Sequence, residues 1–254
     1  MGADAIDRPR IVSTSLCGDS YVLSVVAVED IAALSWQSGH ALSNVPHNLR
    51  NKPKAWDDAE RLLALNPTLV VFGPGEGGAA KPVLDKHGIK YVALDWGEGF
   101  ASVVTNTAIL QKHLLPDDSF LDVFGLIKHQ TMQAGALSSL PQILYLSASG
   151  GTAGPGTYVD AAIKAAGGRN IITIQGWHTP DVETLVGLEP DLIVTSFFED
   201  GYASVNEAGL NNKVLQDKIK STAHVNVPGK LWPCAGPGLY EATDIIAKAI
   251  EELP

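Results

Sequence analysis

One stretch of this sequence occurs twice, and the repeat constrains the architecture more than any other feature. Asp58-Ala-Glu60-Arg-Leu62-Leu-Ala-Leu65-Asn-Pro67-Thr-Leu69-Val-Val71 is matched by Asp181-Val-Glu183-Thr-Leu185-Val-Gly-Leu188-Glu-Pro190-Asp-Leu192-Ile-Val194. The offset, from 58 to 181, is 123 residues in a chain of 254. Each copy reads as an amphipathic helix, a proline that stops it and a short apolar strand. Helix–proline–strand units look alike in general. The functional reading is two equivalent lobes, each presenting this unit.

The rest of the chain keeps the same rhythm. Arg10 to Thr14, Thr68 to Phe72 and Ile89 to Leu94 read as strands, as do Gln142 to Ser147, Leu192 to Ser196 and Val225 to Val227. Tyr21 to Val28, with Asp19 or Ser20 as its cap, Lys81 to His87, Tyr158 to Ala166 and Tyr240 to Leu253 read as helices. Continuous apolar strands alternating with helices predict an α/β fold with parallel sheets covered on both faces. From about Phe100 to Leu140 there is no strand signal. Val103, Ile109, Leu110 and Leu114, then Leu121, Phe124, Ile127 and Met132, keep helical spacing. The organisation is therefore an α/β lobe over 1–99, a helical linker over 100–140 and a second α/β lobe over 141–254.

Composition narrows the function. Apolar residues make up 45% and charged residues 18%, enough for an ample core. The net charge of -10 argues against nucleic acid as a partner. No apolar run reaches the roughly 18 residues of a membrane span. Residues 1–10 show no secretory leader, which fits either a cytosolic protein or an exported one lacking its leader. The two cysteines, Cys17 and Cys234, are expected as free thiols, with a single bridge as the alternative.

Several of these residues carry a resemblance. Glu60-x-Leu62-Leu63-Ala64-Leu65-Asn66-Pro67-Thr68-Leu69-Val70-Val71 resembles a signature of the substrate-binding proteins of bacterial ABC importers for iron–siderophores, haem and cobalamin. Arg10 to Ser13 resembles the family's opening strand, Ala165-Ala-Gly-Gly-Arg-Asn170 its Ala-Gly-Gly-x-Asn motif, and Trp232 to Pro237 its final loop. The match runs along nearly the whole chain in the family's order. It implies two Rossmann-like lobes joined by a long helix, with a metal chelate held in the cleft between them. It also implies delivery to an ABC permease dimer in the inner membrane, a periplasmic location, and an acidic residue on each lobe that docks on the permease. Glu76 and Glu199, separated by the repeat offset, are the docking candidates, with Glu207 as a competitor.

In parallel sheets, ligands sit beyond the carboxyl ends of the strands. Trp36, Phe72 and Trp96 follow strands or apolar runs of the first lobe; Trp177, Phe198, Tyr202 and Trp232 do so in the second. They are the expected ligand-binding residues, because flat aromatic rings give contact area at little entropic cost. Trp56 could reach the rim. An anionic siderophore or haem would call for arginine. Of the five arginines, Arg50 alone has a plausible site position, and Gly238 stands where many relatives carry Arg. A neutral ligand is favoured: a corrinoid such as cobalamin first, a ferric hydroxamate chelate next. The seven histidines form no His-x-x-x-His or His-Glu-x-x-His pattern. His178 or His47 could supply one axial metal ligand, and His178 is the nominee. The glycines of 73–78 and 150–156 lack the Gly-Lys-Ser/Thr of a phosphate cradle.

The expectation is a non-enzymatic, monomeric binding protein with no intrinsic cofactor. The alternative is a bilobal metal chelatase or metallocluster-binding enzyme subunit, in which His178 with Glu199 or Asp200 would act on a tetrapyrrole.

Overall fold

Four residues buried in succession, Leu69-Val-Val-Phe72, form a strand with both faces covered. Around it the first sheet is built. The computed structural model describes residues 8–114, 140–197 and 212–254. Contacts divide the chain into two compact units, one up to Trp96 with Ser102 onward of the following helix, the other from Gly97 to Ala101 and the later residues.

In the first unit, β1 (Ile11–Ser13), β2 (Ile31–Ser35), β3 (Lys54–Ala55), β4 (Leu69–Phe72) and β5 (Lys90–Ala93) form a five-stranded parallel sheet of order β3-β2-β1-β4-β5. Helices α1 (Leu16–Val25), α2 (Ala59–Ala64) and α3 (Lys81–Lys86) connect the strands. Val12, Ala33, Leu62, Val70, Phe72 and Leu84 form its core. The first helix starts earlier than the sequence suggested. Ser15 is extended and its hydroxyl accepts from the Gly18 N–H, so Ser15 is the cap, and Asp19 falls inside the first turn.

Helix α4 (Phe100–Leu114) follows; the remainder of the expected linker, 115–139, lies outside the described residues. The second unit has a four-stranded parallel sheet of order β11-β10-β6-β8, from β6 (Gln142–Ser147), β8 (Arg169–Asn170), β10 (Leu192–Ser196) and β11 (His224–Asn226). Two short strands, β7 (Thr152–Ala153) and β9 (Trp177–His178), pair antiparallel beside it. Helices α5 (Tyr158–Ala165), α6 (Val182–Gly187), α7 (Lys213–Ser221) and α8 (Gly238–Glu251) complete the unit. Leu144, Leu146, Leu185, Ile193 and Leu215 pack together in its core. The expected α/β class with parallel sheets is the class observed. No helix among the described residues is long and apolar enough to cross a membrane.

The repeat holds at the level of single hydrogen bonds. Asp58 caps α2 by accepting from the Arg61 N–H at 2.9 Å, and Asp181 caps α6 by accepting from the Thr184 N–H at 2.6 Å. The strands that follow open on Leu69 and Leu192. One expectation is corrected: neither cysteine is a free thiol, and both Cys17 and Cys234 are disulfide-bonded.

Candidate functional site

The carboxyl ends of the first sheet carry three tryptophans. Trp36 follows β2 at once, Trp56 follows β3 at once, and Trp96 lies just beyond β5. Trp36 is 55% exposed and Trp96 76%, uncommon for so large an apolar side chain. Trp56 is covered by the Arg61 guanidinium, 4.5 Å above its ring. Phe72 does not join them. It ends four consecutive buried residues, packs edge-on against Tyr91 and is fully buried. Its strand-end position puts it in the core, so it offers no surface to a ligand.

Two acids organise these ends. Asp19 is fully buried, and its carboxylate accepts from the Ser35 N–H at 2.9 Å and the Ser35 hydroxyl at 2.6 Å. Burial raises its pKa to about 6 despite those bonds and the Lys54 ammonium. Glu76, half-buried, accepts from the Thr14 hydroxyl at 2.6 Å and the Gly73 N–H at 2.9 Å, both through Oε2. It ties the end of β1 to the loop after β4. The glycine at 73 is required there, since a Cβ would lie 2.4 Å from the Ser15 hydroxyl oxygen.

In the second unit the aromatics form a stack. Tyr145 meets Trp232 edge-on at 5.8 Å and Trp177 at 6.4 Å. Tyr158 lies parallel to Trp232 at 6.0 Å and tilted against Trp177 at 4.9 Å. Burial first, and then the charge of Glu98, push the Tyr158 hydroxyl up to about 12, so it stays protonated. Trp232 is a correction to the sequence reading. It is 1% exposed and its Nε1–H donates to the Ser196 hydroxyl at 2.7 Å. It serves as the floor, while Trp177, on β9 and 47% exposed, is the surface.

A pocket of about 290 Å³ opens beside this stack, lined by Tyr145, Ser147, Thr152, Trp177, His178 and Phe197. Phe197 directly follows β10 in a left-handed conformation, φ 64°, a strained arrangement for an aromatic residue. Its ring crowds Gly229, where a Cβ would lie 2.4 Å from Cδ1. The His178 Nε2–H donates to the Ile174 carbonyl at 2.9 Å. Among the described residues no three His, Cys, Asp or Glu side chains gather as a metal cage. Phe198, Glu199, Tyr202 and Glu207 lie outside the described residues.

Three of the five arginines, Arg8, Arg10 and Arg169, stand away from the carboxyl ends of the strands, while Arg50 and Arg61 lie on that side of the first sheet. Arg8 pairs with Glu29 and Asp30, Arg10 donates to the Leu65 and Asn66 carbonyls, Arg61 covers Trp56, and Arg169 opens β8. Arg50, in the β2–β3 loop, is half-buried, and its Nε–H donates to the Val45 carbonyl.

No protein-family model matches the chain. Two curated proteins of Halobacterium salinarum, both described as cobalamin-binding, are 39% identical over 67 residues. That match spans 25% of this chain and only 18% of theirs. Among solved structures, the periplasmic haem-binding protein HutB of Vibrio cholerae aligns with TM-score 0.69 and 20% identity, over 95% of this chain and 98% of its own. The periplasmic vitamin B12 binding protein BtuF of the same organism aligns with TM-score 0.61 and 16% identity, over 95% and 96%. The chain has the fold of the periplasmic haem- and vitamin B12-binding proteins. An ABC transporter substrate-binding protein of Listeria monocytogenes shares it, with TM-score 0.62 and 18% identity over 95% of this chain and 98% of its own.

Proposed function

We propose that this protein is a non-catalytic, extracytoplasmic substrate-binding protein that captures a metal chelate and delivers it to an ABC permease dimer. The favoured cargo is a corrinoid such as cobalamin, with a ferric hydroxamate chelate next. The observation that carries the reading is the exposure of large aromatic rings on each unit, Trp36 and Trp96 beyond β2 and β5 of the first and Trp177 on β9 of the second, in a chain with only five arginines. Flat apolar faces suit a large ring system, and the scarcity of guanidinium groups suits a neutral one rather than haem with its propionates. The curated relatives over 67 residues, described as cobalamin-binding, support the same class. His178, with Nε2 committed to a carbonyl, would offer Nδ1 as an axial ligand to the chelated metal, since such a bond fixes the tautomer of a ligating histidine. The bonded state of both cysteines suits a periplasmic or other oxidising compartment. Glu76 and Glu199 would meet the permease; charge reversal at both is expected to abolish chelate uptake in reconstituted vesicles, and unchanged uptake would remove that assignment.

The test is calorimetric titration with cyanocobalamin, a ferric hydroxamate and haem in parallel. A one-to-one heat with affinity better than about 1 μM, roughly -8 kcal/mol, for the corrinoid alone is expected. Preference for haem or the iron chelate would overturn the corrinoid assignment. No heat with any of them would overturn the chelate reading itself.

A further inference from the structure

The turn that presents Trp36 is tied down at three points. Ser35, the last residue of β2, gives both its N–H and its hydroxyl to Asp19. The Gln37 side-chain oxygen accepts from the Leu16 N–H at 3.3 Å, at the start of α1. The buried Ser38 hydroxyl takes a close hydrogen bond from the Lys54 ammonium, which also donates to the Arg50 carbonyl at 2.6 Å. The turn itself, Trp36–Gly39, is closed by the His40 N–H on the Gln37 carbonyl. Ser35 and Ser38 are buried, while Trp36 between them is exposed.

A carboxylate is a costly way to hold a turn, since an apolar or amide side chain would avoid burying a charge. What it supplies is acceptor capacity on both oxygens, matched to the two donors of Ser35. We infer that Asp19 is a positioning residue for Trp36, fixing the turn that offers this ring to the chelate. The inference rests on the ligand surface proposed above.

The surroundings make the device sensitive to pH. From the elements packed on α1, Lys54 of β3 is the charge acting on Asp19; β1 and β2 contribute the hydroxyls of Ser13 and Ser35, and β4 carries no charged side chain. His40, closing the turn, is the other titratable group nearby. The ionised carboxylate accepts both Ser35 bonds. Protonation, with a midpoint at about 6, turns one acceptor into a donor and loosens the turn.

The experiment labels the tryptophans as 5-fluorotryptophan in the full chain, in a His40→Gln background. The Trp36 resonance, assigned by Trp36→Phe, is followed by fluorine NMR against pH, with Trp96 as control. The Trp36 signal is expected to titrate near the Asp19 midpoint and to lose that titration in Asp19→Asn, while Trp96 keeps its profile. In parallel, cyanocobalamin affinity should fall about tenfold as pH drops through that midpoint, and stay flat and weaker in Asp19→Asn. In a Trp36→Ala background, Asp19→Asn should add no further loss. A Trp36 resonance with no titration of its own, or an equal Asp19→Asn loss with Trp36 absent, would overturn the inference. If cyanocobalamin does not bind the wild type, the ligand reading fails, and the fluorine titration still decides whether Asp19 governs Trp36.

Discussion

Asp19 carries its carboxyl into the interior of the first unit, where burial outweighs the Ser35 hydrogen bonds and raises its pKa to about 6. A raised carboxyl pKa means the fold favours the protonated form. The benefit is present below the unfolded value, roughly 3.9, and is lost as pH rises through about 6. Melting temperatures of wild type and Asp19→Asn should therefore diverge in favour of Asn between those limits and stay separated above them. The native residue would then trade stability for a fixed Trp36, a familiar compromise at binding sites. Gly229 gives a second residue-scale prediction. The close approach of Phe197 leaves no space for a methyl group, so Gly229→Ala should cost about 1–3 kcal/mol, read by denaturant unfolding. At this scale the sequence was only partly readable. Being at a strand end does not say which way a side chain faces. Trp36, Trp96 and Trp177 face out, while Phe72 and Trp232, chosen by the same rule, are buried.

Among the elements, the repeated helix–proline–strand unit was the most legible, because its signals are local. An acidic cap, a proline and a buried strand each act within a few residues, and both copies fold alike. Truncating the first cap, Asp58→Ala, should cost about 0.5–2 kcal/mol. Asp181→Ala should lower the melting temperature too. The Thr184 N–H holds the Asp181 pKa below its ordinary value, so its contribution is present above the unfolded pKa and lost as pH falls through the folded one. Other elements gave no local signal. β2 contains two alanines, weak strand formers, and is fixed by its neighbours β1 and β3. The β7–β9 pair joins residues separated by a whole helix and β8, a contact no local pattern encodes. That pair places Trp177 on the surface.

For the whole molecule, the two cysteines and the surface tryptophans bear on the same account. Both thiols should resist alkylation in the unfolded, unreduced protein and react after reduction; modification before reduction would contradict the bonded state seen here. The central claim is the proposal that exposed tryptophans on each unit contribute to binding a neutral chelate. It is tested most directly by titrating cyanocobalamin into wild type and a Trp36→Ala, Trp96→Ala, Trp177→Ala variant whose melting temperature is checked alongside. Each ring removed from the ligand should cost on the order of 1 kcal/mol or more, so the triple variant should bind at least about a hundredfold more weakly with its fold retained. Equal affinity in both proteins, or no binding by the wild type, would contradict it.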